Sequence, residues 1–274
     1  VLRGIYARLI SWNRNKSKIH KFNIVTPNPE IVTEAYFNAE LKRIINKSTF
    51  SVPDGIGLAQ ASCFMDFPKV KIKSLAFGVY PVEWIYVSFL TWLMPQKLRQ
   101  ALNITKGRTL FSGIVSLCNK KSWKVVLLGD EKESAQKAKD VLERSFKKVD
   151  ISAFSFPNLD RSGVPVSESG KGEEKQILEK INKISPHMVF IGFGAPKQEM
   201  WLKRNFAKVT CGGMMTLGGT FDYVSGKAKL PPKVFTHLNL EWVWRMITQP
   251  FRIKRILTAF PGFPIRVIKY KLSN

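Results

Sequence analysis

Between residues 123 and 213, short apolar runs alternate with amphipathic stretches, and this alternation limits the fold more than any other feature of the chain. Residues 123–128, 149–154 and 188–192 are too short for buried helices, and 188–192 is an apolar run of the length a parallel strand needs. All three read as strands of a parallel sheet. Residues 134–146, 173–184 and 196–206 read as the intervening helices, 157–172 as a Pro/Gly/Ser-rich loop, and 209–213 as a further strand. Upstream, 22–25 reads as a strand stopped by Thr26-Pro27-Asn28-Pro29, because proline pre-sets φ and lacks an N–H. A helix follows from about Glu30, and 48–52 reads as a strand ending at Pro53-Asp54-Gly55-Ile56-Gly57. The prediction is an α/β fold with a doubly wound, mainly parallel, Rossmann-like sheet. The alternation stops near Lys229, and a basic, aromatic C-terminal helical appendage follows.

Charge sits at the ends. The 274 residues carry a formal charge of +24; residues 1–21 hold six basic residues and 242–274 hold seven, with no acid in either segment. Such ends suit an anionic partner: nucleic acid, lipid headgroups or a phosphorylated substrate. Nearby aromatics (Tyr6, Trp12, Trp242, Trp244, Phe251, Phe260) favour a membrane surface over nucleic acid, and a plain solvated basic face is the competing reading. No helix-turn-helix, RRM or zinc-finger pattern supports a nucleic-acid partner. Residues 75–95 are apolar at 15 of 21 positions, with six aromatics, but Pro81 and Glu83 interrupt them. A buried or interfacial hairpin of helices is expected there rather than a membrane span. The first apolar stretch, broken by Arg8, does not read as a signal peptide. Cys63, Cys118 and Cys211 are scattered, as are the three histidines, so neither a disulfide framework nor a protein-built metal site is expected.

In a parallel sheet, ligands sit beyond the carboxyl ends of the strands. Four turns are assigned there: Thr26-Pro27-Asn28, Asp54-Gly55-Ile56-Gly57, Gly192 to Glu199, and Gly212-Gly213 with Gly218 to Asp222. None matches a dinucleotide fingerprint or a P-loop, which leaves a nucleotide diphosphate held by several loops. Asp54 at a strand end has the chemistry of a general base, but spacing alone favours a helix N-cap. Gln198 has donors for a sugar or phosphate, whereas Glu199 fits a helix first turn. Asp222 fits a turn or a ligand contact. No Asp-x-Asp is present to hold a divalent metal on a diphosphate. Arg245, Arg252 and Arg255 have guanidinium groups suited to phosphate, and Pro250 must bend or break any helix carrying them.

Together these segments resemble the WecG/TagA/CpsF family of bacterial glycosyltransferases over about residues 22–257. The likeness is carried by Thr26 to Glu30, Pro53 to Gly57, Val126 to Gly129, Phe156 to Leu159, Ile191 to Glu199, Gly218 to Asp222 with Gly226-Lys227, and Leu240 to Arg245 continuing to Arg252. The resemblance implies an inverting, metal-independent transfer of an N-acetylmannosamine-type sugar from a UDP donor. The implied acceptor is a polyprenyl-diphosphate-linked amino sugar at the inner membrane face, in teichoic acid linkage-unit or other surface polysaccharide synthesis. No cofactor is implied. Asp54 falls on the proposed base and Gln198 on a polar active-site position. Thr26, Asn28, Gly55, Gly57, Arg108, Gly129, Gly194, Pro196, Lys197, Glu199, Gly219, Thr220 and Asp222 fall on substrate-binding positions. Arg245, Arg252 and Arg255 fall on the arginines that close over the diphosphate.

The implied organisation is a basic N-terminal segment (1–21), a catalytic domain (22–228) with an apolar insertion at about 62–104, and a membrane-associating appendage (229–274). The implied location is peripheral, on the cytoplasmic face of the membrane; a homo-oligomer is compatible. The insertion is longer and more apolar than is usual for the family. Lys229-Leu230-Pro231 stands for a typical Arg-Ala-Pro, and His187 for a common Asp; both leave open a different UDP-hexosamine or a uronic acid donor. A non-catalytic nucleotide-sugar or lipid-binding module is the alternative from another class.

Overall fold

A computed structural model describes residues 1–16, 21–94, 104–130, 133–238, 240–250 and 253–273. In chain order the elements are α1 (Leu2–Asn15), β1 (Phe22–Val25), α2 (Pro29–Phe37), α3 (Ala39–Lys47), β2 (Phe50–Ser51), α4 (Ile56–Asp66) and α5 (Lys73–Leu93). Then follow α6 (Gly107–Lys120), β3 (Lys124–Gly129), α7 (Ser134–Ser145), β4 (Asp150–Ser155), α8 (Glu168–Ile184), β5 (Met188–Gly192), α9 (Lys197–Asn205) and β6 (Gly213–Thr216). The last are α10 (Thr220–Val224), α11 (Lys233–His237), α12 (Glu241–Thr248), α13 (Ile253–Leu257) and, after a wide turn at Thr258–Gly262, α14 (Phe263–Ser273). The chain forms two compact units: Val1–Thr26, Ala39–Ser51 and Gly107–Ala228 in the first, Pro27–Asn38, Val52–Lys106 and Lys229–Asn274 in the second.

The first unit holds one six-stranded, all-parallel sheet of order β2-β1-β6-β5-β3-β4, the α/β class read from the alternation. The apolar runs of β3 and β5 are buried along their lengths, as strands covered on both faces must be. One layer of the core joins Val126, Leu128, Val189 and Ile191 to Ile177 and Ile181 of α8 and to Trp201 of α9. The basic N-terminal segment folds as α1, which buries Ile5, Leu9 and Trp12 while its arginines stay outside. The glycine-rich loop expected over 157–172 is shorter than the sequence suggests. Helix α8 begins at Glu168, because Ser167 caps it, its Oγ accepting the Gly170 N–H at 3.1 Å.

The strand expected at 209–213 lies later, at Gly213–Thr216. Gly212-Gly213 therefore sits at the amino end of β6, not at the carboxyl end where the sequence reading placed it. A Cβ on Gly213 would meet the Phe22 ring at 2.5 Å, so this glycine is a packing requirement.

The second unit is helical. Its core gathers Phe64 of α4, Ala76, Tyr80, Trp84 and Val87 of α5, and Phe263 of α14. Residues 73–93 form one continuous helix rather than the expected hairpin, with Pro81 inside it. Proline removes one backbone bond, but Trp84 and Tyr80 anchor the helix from both sides of the break. Glu83 is accommodated by Lys271 of α14, whose Nζ lies 3.3 Å from Glu83 Oε2. Among the described residues no helix is long and apolar enough to cross a membrane.

Candidate active site

In the first unit, β3 and β5 are neighbours whose onward connections run to opposite sides, to β4 and to β6. Such a switch point is where open parallel sheets admit ligands. Gly129 and Gly192, the last residues of these strands, are register partners. A Cβ on Gly129 would lie 2.6 Å from Ala135 Cβ, and one on Gly192 would lie 2.5 Å from the Phe221 ring. The strand ends are thus bare backbone held close to the start of α7 and to α10. The sequence reading puts Gly129 among the substrate-binding positions and Gly192 at the start of a ligand-side turn; the shared signal is a glycine closing an apolar run.

Gln198 is buried, and both ends of its amide are engaged. Its Oε1 accepts the N–H groups of Gly194 (3.2 Å) and Gly218 (3.0 Å), and its Nε2 donates to Glu199 Oε1 at 2.7 Å. Gly194 and Gly218 both have positive φ, at 81° and 57°, which favours glycine. Gln198 therefore ties the β5–α9 loop to the β6–α10 loop. Thr26, buried after β1, donates from Oγ1 to the Thr216 carbonyl at 3.2 Å and joins the end of β1 to that of β6. Pro196 occupies the N-cap of α9 and Gly219 that of α10. Thr220 is buried, its Oγ1 donating to the Leu217 carbonyl at 2.8 Å. Lys197 donates to Asn158 Oδ1 at 3.2 Å, Glu199 is buried, and Asp222 is half-buried. Arg108, in the first turn of α6, lies with its guanidinium 5.7 Å from the ring centroid of Tyr223 in α10, a partner the sequence did not reveal.

In the second unit, two loops named from sequence are laced together. The Asp54 N–H donates to the Pro27 carbonyl at 2.8 Å. Gly57 packs under the Pro29 ring, where a Cβ would come within 2.9 Å of Pro29 Cγ. Asn28 caps α2, its Oδ1 accepting the Ile31 N–H at 2.9 Å. The N-cap position of α4 is Gly55, with φ 96°, and Asp54 stands directly before it. Arg255 of α13 is ion-paired with Glu30 in the first turn of α2, Nε to Oε1 at 2.5 Å, so the basic C-terminal segment is tied to the Asn28 loop. Arg245 lies half-buried on α12, which ends at Thr248 before Pro250, the break that proline imposes. Arg252 lies outside the described residues.

The remaining reactive side chains are structural. Burial pushes the thiols of Cys118 and Cys211 up to about 12, and that of Cys63 upward as well, so none is a ready nucleophile. His187 stacks on Trp123 at 4.7 Å; its Nδ1 accepts the Lys124 N–H and its Nε2 faces Asn13 Oδ1 at 2.8 Å. Burial, with Lys16 and Lys124 adding to it, lowers its pKa to about 4, so it is a neutral core histidine. The described residues bring together no group of three or more His, Cys, Asp or Glu side chains able to hold a metal ion.

The sequence description of the "Glycosyl transferase WecG/TagA/CpsF family" matches residues 2–77 and 84–274, with its one break inside α5. Among similar curated proteins is the "N-acetylglucosaminyldiphosphoundecaprenol N-acetyl-beta-D-mannosaminyltransferase" of Bacillus spizizenii, 25% identical over 92% of this chain and 80% of that protein. Proteins of the same name from Bacillus subtilis and Staphylococcus aureus are 27% and 26% identical, over 90% of this chain and 78% and 80% of theirs. With the family matched on both sides of α5 and its motifs placed on the sheet and the laced loops, the chain belongs to the WecG/TagA/CpsF family of glycosyltransferases.

Proposed function

We propose that the chain transfers an N-acetylmannosamine-type sugar from a UDP donor to an amino sugar linked through a diphosphate to a polyprenol. The activity that the relatives' names give, on N-acetylglucosaminyldiphosphoundecaprenol, supports this substrate class. The observation that carries the mechanism is Asp54: a half-buried carboxylate three residues past β2, just before α4, in a loop bonded to the Asn28 loop.

In this reading the Asp54 carboxylate takes the proton of the acceptor hydroxyl as its oxygen attacks the anomeric carbon. The bond from that carbon to the β-phosphate oxygen breaks, UDP leaves with the electron pair, and a single displacement inverts the anomeric centre. Arg245, Arg252 and Arg255 supply positive charge to the leaving diphosphate in place of a metal. Gln198 acts by holding the Gly194 and Gly218 loops in place rather than by touching substrate. The enzyme works as a peripheral protein on the cytoplasmic face of the membrane, where a nucleotide sugar meets a lipid-linked acceptor.

The test is UDP release from a panel of UDP-sugars with a GlcNAc-diphospho-lipid analogue, with and without EDTA. Turnover is expected with the N-acetylmannosamine donor, independent of EDTA, and reduced about 10²–10⁴-fold in Asp54→Asn. Full activity in that variant removes the base, and turnover only with another donor reassigns the sugar.

A further inference from the structure

The large exposed apolar side chains are not spread over the molecule. Among the described residues all but Val1, Leu2, Val141 and Val166 fall in the second unit, and they are densest on α5. At 100° per residue, Leu75, Val82, Ile85, Tyr86, Phe89 and Trp92 occupy one arc of about 120°. All six are at least half exposed, Ile85 to 67%. The opposite face is spent on the core of the unit through Tyr80, Trp84 and Val87. Within α5 the only charged residues are Lys73, at its start, and Glu83, which is turned toward Lys271. The outward arc therefore carries no charge along a helix about 31 Å long. A contiguous apolar face of this extent marks an interaction surface.

We propose that the outward face of α5 seats the protein on a bilayer containing anionic lipid, lying in the plane of the surface with Leu75 to Trp92 at the boundary between headgroups and acyl chains. Three observations choose a bilayer over a second copy of the chain. The face is rich in Trp, Tyr and Phe, with Phe89 and Trp92 stacked at 6.2 Å; such rings favour the headgroup level. Exposed Lys69, Lys71 and Lys73 lead into the helix, placing cations beside the apolar face, as anionic headgroups require. A net charge of +24 draws the molecule to an anionic surface and repels another copy of itself. The proposal rests on the lipid-linked acceptor only for its purpose, since its geometry stands without it.

The experiment is sedimentation of the full chain with vesicles of 70% phosphatidylcholine and 30% phosphatidylglycerol, wild type against Ile85→Glu/Phe89→Glu. Both substituted side chains are exposed, and urea denaturation checks that the variant folds. Vesicle affinity is expected to fall at least tenfold, while UDP release with a water-soluble acceptor analogue stays within twofold. Quenching of tryptophan emission by brominated acyl chains is expected to drop in Trp92→Phe. A folded double variant that binds vesicles like wild type overturns the proposal. So does a wild-type oligomer that the variant dissolves with vesicle binding intact, which assigns the face to a second copy. Vesicle binding that depends on α5 in a protein with no turnover supports the surface and sinks only the transferase reading.

Discussion

The Lys271 ammonium and the Glu83 carboxylate meet 3.3 Å apart in the interior of the second unit, although 188 residues separate them in sequence. Lys271 Nζ also donates to the Phe64 carbonyl at 2.7 Å and lies 4.3 Å from the Phe64 ring centroid and 4.9 Å from that of Tyr80. One cation thus joins α4, α5 and α14. Removing one partner of a buried pair leaves the other uncompensated, at about 3–5 kcal/mol. Lys271→Ala is expected to lower stability by that order in urea denaturation. Lys271→Met combined with Glu83→Gln is expected to recover much of the loss, because neither charge is then left alone.

Gln198 offers a separation of structure from chemistry. Its side-chain carbonyl holds two backbone N–H groups, so Gln198→Ala leaves both without their partner, at about 1–3 kcal/mol each. The expected signature is a weaker grip on UDP, read by titration calorimetry, with the pH profile of turnover unchanged. A changed profile would place Gln198 in proton transfer instead.

Arg255 makes an exposed ion pair with Glu30, and exposed pairs contribute about 0–1 kcal/mol. Arg255→Ala is expected to leave the urea midpoint nearly unmoved. If its charge meets the leaving diphosphate, turnover falls by about 2–4 kcal/mol of barrier, or roughly 30- to 1,000-fold. Glu30→Ala, which frees the guanidinium without removing it, is expected to retain most activity. Equal losses in both variants would make the pair a structural tie only.

His187 carries a pH signature. Its folded pKa of about 4 lies below its ordinary 6.5, so the unfolded chain binds the extra proton between those values. Its contribution is fully present above about 6.5 and is lost as pH falls toward 4, by roughly 2–3 kcal/mol. Urea denaturation at pH 7.5 and pH 5 is expected to show this slope, and His187→Phe to flatten it. A variant with the wild-type slope would assign the pH dependence to other groups.

The parts of the fold legible in sequence are those where one local pattern decides. The runs of β3 and β5 could be read because a short, uniformly apolar segment between amphipathic helices has few other uses. The β6 position slipped because Gly212 and Gly213 resemble a turn, while the reason for Gly213, the Phe22 ring, lies almost 200 residues upstream. Helix α5 was misread as a hairpin because Pro81 and Glu83 look like breaks unless Lys271 is known to answer the acid. At the candidate site, spacing located Asp54 but could not show that Gly55 takes the N-cap position. Nor could it show that Gln198 faces inward, since a buried amide and a substrate-facing one look alike in a string.

The second unit is assembled from three stretches, Pro27–Asn38, Val52–Lys106 and Lys229–Asn274. This interleaving sets the order in which a growing chain can mature on the ribosome. The stretches of the first unit have all been made by residue 228, whereas α5 must wait nearly 180 residues for α14. Throughout that interval Glu83 lacks its ammonium and the inner face of α5 has α4 beside it but not Phe263 of α14, the condition under which nascent chains aggregate. Translation paused or stopped before residue 271 would leave a finished sheet beside an open greasy helix, so the eleven-residue α14 is the stitch that closes the second unit.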